Sequence, residues 1–361
     1  MRAPAEVAAQ IVASGVAPDA AAGFAARRSD GRWEVSAGGA TTAFFDLASL
    51  TKPMTAFAVA RSGSLRSAKL GTILPVIAGT PCADAPVELL LAHRVGLEAN
   101  LPLFRPMLEG RSVVLDEVLI EAARARRPDA TGALPVEGFA PLYSDLGYVL
   151  VGEALTRSAS AEDAGDVIAD AVIAPLGQVE SLGSARSLEA LGDRVRFAER
   201  VVPTEVVPWR GGEVRGRVHD ENAFALRGAG ACGHAGMFGT VDAVLAFGIA
   251  ALDAIVRGTG PLGTGGDLEW LVRPRQGGSL RAGFDGKSEG GGSTAGERAG
   301  RRTFGHLGFT GTSLWIDPDA DSLVVLLTNR VHPTRENAAI RAARPLAHDA
   351  LFAMAAEAAG R

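Results

Sequence analysis

The segment FDLASLTKPM, residues 45–54, places a serine and a lysine three positions apart, at Ser49 and Lys52. The lysine is informative because only Lys52, Lys69 and Lys287 are lysines among the 36 basic residues of the chain. Arginine stays protonated in proteins, whereas lysine can lose its proton and act as a base. The segment therefore predicts either an activated serine nucleophile or an ordinary helix start with a solvated lysine.

The composition is that of a globular protein with no affinity for polyanions. The chain has 361 residues, of which 47% are hydrophobic and 21% charged, and its net charge is −5. This length allows one large domain or two of ordinary size. No basic block or basic–aromatic stretch occurs, which argues against a nucleic-acid partner. No apolar run reaches the roughly 18 residues of a membrane helix, so no membrane association is predicted.

The N-terminal segment MRAPAEVAAQIVASGVAPDA predicts a modest amphipathic helix and not a secretory signal, because Glu6 and Gln10 interrupt its apolar core. We therefore expect a cytoplasmic protein, unless a leader has been removed. The two cysteines, Cys82 and Cys232, form neither a disulfide framework nor a zinc pattern. Both are expected to be reduced and structural.

No cofactor and no metal are predicted. A G-x-G-x-x-G pattern at 228–233 follows HDENAFAL, which does not resemble the buried strand that precedes a dinucleotide-binding loop. The group His219, Asp220 and His234 fits no known metal-ligand spacing. A thiol enzyme based on Cys232 is disfavoured because that residue lies in a loop of small residues.

Strand patterns lie near the two ends of the chain. Apolar stretches around Asp30–Gly31 predict a hairpin within residues 21–39. Residues 312–318 and 322–329 predict a second, buried hairpin, and residues 279–285 form a weaker strand candidate. The glycine- and serine-rich segment that follows, residues 285–302, predicts a mobile surface loop.

The middle of the chain has helical periodicity. Residues 86–97, 114–127 and 148–159 carry apolar side chains at helical spacing, and prolines and glycines separate them. A closing helix is predicted from residue 340 to 354, with Pro345 as a start or a kink.

These patterns predict an α+β fold with one antiparallel sheet, flanked by helices and built from both chain termini. An all-helical domain is inserted in it. We place the sheet domain at residues 1–64 and 235–361 and the inserted domain at 65–234.

Two further segments place polar residues just before predicted elements. PLYSDLGYVLVGEAL, residues 141–155, contains Tyr143, Ser144 and Asp145 before a helix. FGHLGFTGTSLW, residues 304–315, contains His306 and Gly308 before the buried hairpin. In chain order the patterns are S-x-x-K, Y-S-D and H-x-G.

This order resembles the serine β-lactamase and penicillin-binding-protein superfamily, whose motifs are S-x-x-K, then S-x-N or Y-x-N, then K-T-G or H-x-G. The separations of the motifs are similar to those of the class C β-lactamase branch and its esterase relatives. Segment 89–97 also looks like the His-Thr-Ser-Gly-Leu segment of that branch, and segments 229–240 and 327–335 are similar to its later segments. The resemblance therefore covers most of the chain.

The resemblance implies an active site between the two domains. Ser49 would be the nucleophile, and Lys52 and Tyr143 the candidate general bases. The backbone N–H groups of Ser49 and Phe309 would form the oxyanion hole. Substrate would be bound by Asp145, His306 and Gly308, where the missing side chain of Gly308 leaves room along the strand.

Three departures from the family pattern leave alternatives open. Asp145 stands where asparagine is usual, and a carboxylate would hold Lys52 protonated, so the choice between Lys52 and Tyr143 as base stays open. Ser144 offers an alternative second motif, in which Ser-Asp-Leu of this chain would correspond to Ser-Asp-Asn of the family. His306 replaces the lysine of the lactamases and would be mostly neutral near physiological pH.

The predicted function is a serine hydrolase that acts through an acyl-enzyme on a small ester or amide. The absence of an export signal, the neutral His306 and the bulk of Phe309 favour esters over β-lactams. The alternatives are a β-lactamase or a D-amino-acid peptidase or carboxypeptidase, and a relative that binds a ligand without hydrolysing it. The partner would be a small ester, amide or peptide-like molecule, and the sequence predicts no oligomeric state.

Overall fold

The computed structural model describes residues 3–361. Its strands form a six-stranded antiparallel sheet and two smaller sheets. The strands are β1 (Ala20–Arg27), β2 (Trp33–Gly39), β3 (Phe45–Asp46), β4 (Leu182–Ser184), β5 (Val206–Val207), β6 (Gly212–Glu213), β7 (Met237–Gly239), β8 (Asp285–Gly286), β9 (Phe304–Leu307), β10 (Ser313–Asp317) and β11 (Ser322–Thr328).

The helices surround the large sheet and fill the middle of the chain. They are α1 (Pro4–Ala13), α2 (Thr51–Arg61), α3 (Leu70–Ile73), α4 (Val87–Leu91), α5 (Arg105–Leu108), α6 (Leu115–Arg124), α7 (Asp145–Ala159), α8 (Ala164–Ile168), α9 (Ala185–Glu189), α10 (Phe197–Arg200), α11 (Glu221–Arg227), α12 (Val241–Arg257) and α13 (Ile340–Ala358). Among residues 3–361, no helix combines the length and apolar character needed to cross a membrane.

The large sheet has the order β2-β1-β11-β10-β9-β8 and joins both ends of the chain. Strand β1 pairs antiparallel with β11, with Phe24 opposite Val324. Both predicted hairpins are present, as β1–β2 and β10–β11. The prediction of an α+β fold with one sheet built from both termini is confirmed.

Helices cover both faces of this sheet. Along β11, Val325 packs in the core cluster that contains α12, whereas its neighbour Val324 packs in the cluster of α1 and α13. Because successive strand residues point to opposite faces, a strand covered on both sides needs apolar residues throughout. The run SLVVLLT meets this requirement, and each of its residues is buried.

The inserted segment is mainly helical and differs from the all-helical expectation in three short strands. Strand β4 joins β3 and β7 in a three-stranded sheet, and β5 pairs with β6. Strand β7 lies between the other two, so it links β4, from the middle of the chain, to β3, which precedes Ser49.

Two local predictions need correction. Residues 279–284 form a turn, and only Asp285 of the predicted strand lies in a strand, β8, because Gly283 has a φ of +109° and the Arg281 N–H donates to the Phe284 carbonyl. The 285–302 segment is not a free surface loop. Its Ser293 is buried, and the Thr294 carbonyl lies 2.7 Å from Nδ1 of His348 on α13.

Candidate active site

Ser49 lies in a 3₁₀ turn, residues 48–50, that links β3 to helix α2. Ala48 takes a positive φ of 48°, which is strained for an alanine, and its N–H donates to Asp46 at 2.8 Å. The second Asp46 oxygen accepts from the His219 N–H at 2.7 Å. Burial raises the pKa of this carboxyl. Asp46 therefore stabilises the bend that presents Ser49.

Lys52 is on the first turn of α2, and its side chain is fully buried. Its Nζ lies 2.8 Å from the Ser49 hydroxyl, 2.7 Å from the Asp145 carboxylate and 3.3 Å from the His234 carbonyl. An ammonium group has three N–H donors, so these three oxygens match its full capacity. The geometry suits a protonated lysine.

The charges around Lys52 favour the same protonation state. Burial alone would lower the pKa of Lys52, but the Asp145 carboxylate and Tyr143 outweigh it and raise that pKa above 10.5. Burial also raises the pKa of the Tyr143 phenol above 10, and the neighbouring Lys52 ammonium opposes this only in part. At neutral pH both candidate bases therefore carry their protons.

Tyr143 is held between two histidines beside Lys52. Its ring centroid lies 4.9 Å from the Lys52 Nζ, and the ring stacks on His93 at 4.8 Å and lies 5.9 Å from the His306 ring. Nδ1 of His93 accepts from the Ser144 N–H at 3.0 Å. Burial keeps the pKa of His93 well below 6.5, so this nitrogen stays free to accept.

His93 is not among the predicted site residues, yet its contact with the Ser144 N–H orients the tyrosine motif. The Ser144 hydroxyl donates to the Glu98 carbonyl at 2.6 Å. This bond engages the Ser144 side chain elsewhere, which favours Tyr143 over Ser144 as the reactive member of the motif.

His306, on β9, is buried and neutral. Burial, and then the Lys52 charge, lower its pKa to about 3, and its Nδ1 lies 2.8 Å from the Leu307 carbonyl. With the proton on Nδ1, the other ring nitrogen is an acceptor. This position therefore provides no cation for an anionic substrate.

Gly308 is needed for a packing reason that differs from the predicted one. A Cβ on Gly308 would lie 2.0 Å from the Thr312 hydroxyl and 2.6 Å from the Leu47 carbonyl, which are protein atoms and not substrate space. Threonine hydroxyls also tie this strand end to the serine segment, since Thr310 donates to the Asp46 carbonyl at 2.7 Å. The close approach fixes residue 309 relative to Ser49.

The Phe309 N–H has no hydrogen-bond acceptor within residues 3–361. A free N–H next to the serine segment is what an oxyanion hole requires. The Phe309 carbonyl, by contrast, accepts from Arg330 at 2.9 Å, and this bond holds the peptide in place.

A cavity of about 160 Å³ opens beside Ser49. Polar side chains predominate in its lining, which consists of Ala48, Ser49, Asn100, Asp145, His219, Asp220, Glu221, Ala235, Phe309 and Arg335. Of the predicted site residues, Ser49, Asp145 and Phe309 line this cavity, while Lys52 and Tyr143 lie beside Ser49. Such a volume is below the usual 300–1,000 Å³ of drug-sized ligand sites and fits a small substrate.

Sequence reasoning missed the role of the Asp220–His234 pair. The two side chains contact each other, with Asp220 Oδ1 2.9 Å from His234 Nε2, and Asp220 also caps α11. The backbone between Gly233 and His234 packs tightly on α7, because a Cβ on Gly152 would lie 2.4 Å from the Gly233 nitrogen. This packing presents the His234 carbonyl to Lys52.

The β-lactamase family model matches residues 7–348 of the chain, almost its whole length. The chain belongs to the β-lactamase family. Motif order, the sheet built from both termini and the lysine beside the serine all agree with this assignment. No curated protein sequence matches the chain significantly.

Solved structures of similar fold include a hydrolase, a class C β-lactamase and a carboxylesterase. EstCE1, described as a hydrolase with promiscuous acyltransferase activity, is 20% identical with a TM-score of 0.67, over 96% of this chain and 97% of that one. A class C β-lactamase from Rhodobacter sphaeroides is 18% identical with a TM-score of 0.65, over 97% and 98%. A family VIII carboxylesterase is 17% identical with a TM-score of 0.60, over 95% and 96%. These likenesses show the shared fold.

Proposed function

We propose that this β-lactamase-family protein is a serine hydrolase that cleaves a small ester or amide through an acyl-enzyme on Ser49. The observation that carries the proposal is the position of the Lys52 Nζ, which contacts both the Ser49 hydroxyl and the Asp145 carboxylate. A buried cation at this place can hold the serine oxygen for attack and stabilise an anionic base next to it.

The general base is assigned to Tyr143 in its ionised form. The Lys52 Nζ contacts three oxygen acceptors, and its pKa is raised. Lys52 is therefore protonated, and its nitrogen has no lone pair to receive a proton. A Tyr143 phenolate beside that ammonium would take the Ser49 proton as the oxygen attacks the carbonyl carbon. The same proton then passes to the leaving oxygen or nitrogen, and a water molecule later hydrolyses the acyl-serine ester.

The oxyanion of each tetrahedral intermediate would be bound by the backbone N–H groups of Ser49 and Phe309. The free N–H of Phe309 supports this assignment. Lys52 would remain an ammonium throughout, so its charge also favours the anionic intermediate.

Two observations favour esters or amides over β-lactams. His306 has a pKa of about 3 and is neutral, so it gives a substrate carboxylate no charge-assisted contact. Such a contact is worth about 1.5–3 kcal/mol. The cavity of about 160 Å³ also favours a small acyl group over a fused bicyclic ring.

The nucleophile is tested with a fluorophosphonate probe and intact mass spectrometry. One adduct should form and map to the peptide that contains Ser49, and Ser49→Ala should abolish it. Ser62→Ala, at the other end of α2, is the matched control and should label normally. Labelling that survives Ser49→Ala unchanged would overturn the proposal.

The base and the substrate class are tested by kinetics. Tyr143→Phe should lower kcat/KM for a short-chain 4-nitrophenyl ester by about 10²- to 10⁴-fold, the usual contribution of a general base. The wild-type protein should turn over that ester faster than a chromogenic cephalosporin. A faster cephalosporin reaction would favour a β-lactamase, and neither labelling nor turnover would favour the non-hydrolysing relative.

A further inference from the structure

Arg335 is the only arginine or lysine that lines the cavity beside Ser49 in the described chain. Two carboxylates already bind it. Its Nη2 lies 2.6 Å from Glu205 Oε2 and 2.5 Å from Glu221 Oε1, and its Nε donates to Glu205 at 2.7 Å. The Arg335 backbone N–H donates to the same Glu205 carboxylate at 3.1 Å. Its charge is therefore compensated twice within the protein.

Both partners of Arg335 are held in place. Glu205 is almost fully buried and lies 3.0 Å from Nε2 of His219. Although burial opposes it, hydrogen bonds from His219 and Arg335 lower the pKa of Glu205 to about 2. Glu221 is only 19% exposed and begins helix α11. A negative side chain is favourable at that end of a helix.

Carboxylates predominate among the charged groups that face the cavity. Asp145, Asp220 and Glu221 line it, against Arg335 alone. The Lys52 ammonium forms an ion pair with Asp145, and the Glu205 carboxylate forms one with Arg335. Two nearby guanidinium groups are engaged elsewhere. That of Arg330 packs on the Phe309 ring at 4.5 Å and donates to backbone carbonyls of residues 309, 335 and 337, and that of Arg210 donates to the Val218 and His219 carbonyls.

We propose that Glu205 and Glu221 determine the charge specificity of the hydrolase by holding Arg335, so that the pocket accepts neutral and cationic esters and rejects esters with a carboxylate on the acyl chain. An incoming carboxylate would have to displace Glu221 from Arg335 in a narrow cavity that three carboxylates line. An alkylammonium group would instead meet the carboxylates of Asp220 and Glu221. This inference rests on the proposed ester hydrolysis at Ser49.

Three 4-nitrophenyl esters of matched chain length test the proposal. They are the neutral valerate, the anionic monoglutarate and the cationic 4-(trimethylammonio)butyrate. Because the leaving group is the same, differences in kcat/KM report recognition of the acyl chain. The expected order is cationic, then neutral, then anionic. The cationic-to-anionic ratio should be about tenfold or more at low salt and should fall as salt screens the charges.

Glu221→Gln should free one side of Arg335. It should lower the cationic-to-anionic ratio of kcat/KM by about five- to tenfold, mainly because the KM of the anionic ester falls. Its kcat/KM for the neutral valerate should change less than that for either charged ester, because the neutral chain makes no charge–charge contact. Glu213→Gln, on the exposed β5–β6 hairpin, is the matched control and should leave the ratio unchanged. An anionic ester preferred by the wild type, or a ratio that Glu221→Gln does not change, would overturn the proposal.

A binding experiment separates this inference from the proposed function. The Ser49→Ala protein is titrated with the same three esters by calorimetry, so that affinity is measured without turnover. The same order of affinities supports the charge specificity even if the wild type hydrolyses none of the esters. Equal affinities, or the tightest binding for the monoglutarate, contradict it even if hydrolysis occurs.

Discussion

Replacing Asp145 with asparagine should make the enzyme more active at neutral pH. The Asp145 carboxylate lies 2.7 Å from the Lys52 Nζ. It raises the pKa of Lys52, and its charge also raises the pKa of the Tyr143 phenol. Asp145→Asn keeps a side-chain oxygen that can accept from Lys52 but removes the charge. Both pKa values should therefore fall, and more Tyr143 should be ionised near pH 7.

The direction of the effect follows from the two charges. The Asp145 carboxylate and a Tyr143 phenolate repel each other, so removing the carboxylate charge should lower the pKa of Tyr143. If ionised Tyr143 is the active form, kcat/KM of the wild type rises with pH until the raised pKa of Tyr143 is reached. In Asp145→Asn this rise should occur at lower pH. A phenolate of lower pKa removes the serine proton less effectively, which offsets part of the benefit. We therefore expect kcat/KM at neutral pH to rise by about 10- to 100-fold.

The assay is kcat/KM for a short-chain 4-nitrophenyl ester from pH 6 to 10, corrected for spontaneous hydrolysis. Thermal unfolding of the same variant provides a second measurement. Breaking a buried ion pair costs about 3–5 kcal/mol, and the retained amide oxygen should keep the loss at or below the lower value. Asp116→Asn removes an exposed partner of Arg157 and is the matched control; it should change neither the pH profile nor, appreciably, the melting temperature.

A folded Asp145→Asn protein whose profile does not move, or moves to higher pH, would refute this reasoning. The carboxylate would then not control the protonation of the base. Loss of activity at every pH, with an intact melting transition, would instead indicate that the carboxylate contacts substrate directly. That result would also end the assignment of Tyr143 phenolate as the active form.

Three further outcomes follow from the packing. Gly308→Ala should lower the free energy of unfolding by about 1–3 kcal/mol and reduce kcat, because the new Cβ collides with backbone beside the serine. Gly266→Ala is the control, because the nearest atom to its Cβ is 3.6 Å away. Thermal melts and ester assays should show no change in this control. Burial lowers the pKa of His348 to about 4, so the unfolded chain binds more protons below pH 6.5, and stability should fall by up to about 3 kcal/mol as pH drops towards 4. Urea titrations at several pH values should show this slope, and it should be flatter in His348→Leu. Burial raises the pKa of Cys82 to about 12 and raises that of Cys232 as well, so a thiol reagent should label neither cysteine until the protein is unfolded.

The sheet could be predicted from the sequence because its signals are local. The apolar run of β11 and the Asp30–Gly31 turn are each contained in fewer than about ten residues. Their pairing across almost the whole chain followed from the helical middle, which left strands only at the ends. The prediction of a strand over residues 279–285 failed because an apolar stretch does not reveal the positive φ that Gly283 adopts.

The proximity of the proposed site residues could be predicted, whereas their surroundings could not. Ser49 and Lys52 are neighbours on one turn, and the resemblance supplied Tyr143 and His306. His93, by contrast, reaches Ser144 over 51 positions of sequence, and Arg335 reaches Glu205 over 130. Such contacts depend on the packing of loops, which no local pattern encodes. The excess of carboxylates in the pocket became visible only after the chain was folded.

The choice of lysine at position 52 in a chain with 36 basic residues, almost all arginine, acquires a different meaning once the site is assembled. Lysine first suggested a base because it can lose a proton, yet here its buried ammonium is bound by a carboxylate, a carbonyl and the serine hydroxyl. What distinguishes lysine from arginine at this place is therefore its shape. A compact ammonium directs three donors to three surrounding oxygens, whereas a planar guanidinium could not fit the same space on the first turn of α2. In the proposed mechanism the proton chemistry is consequently left to Tyr143, and the Asp145 carboxylate would determine the pH at which that chemistry begins.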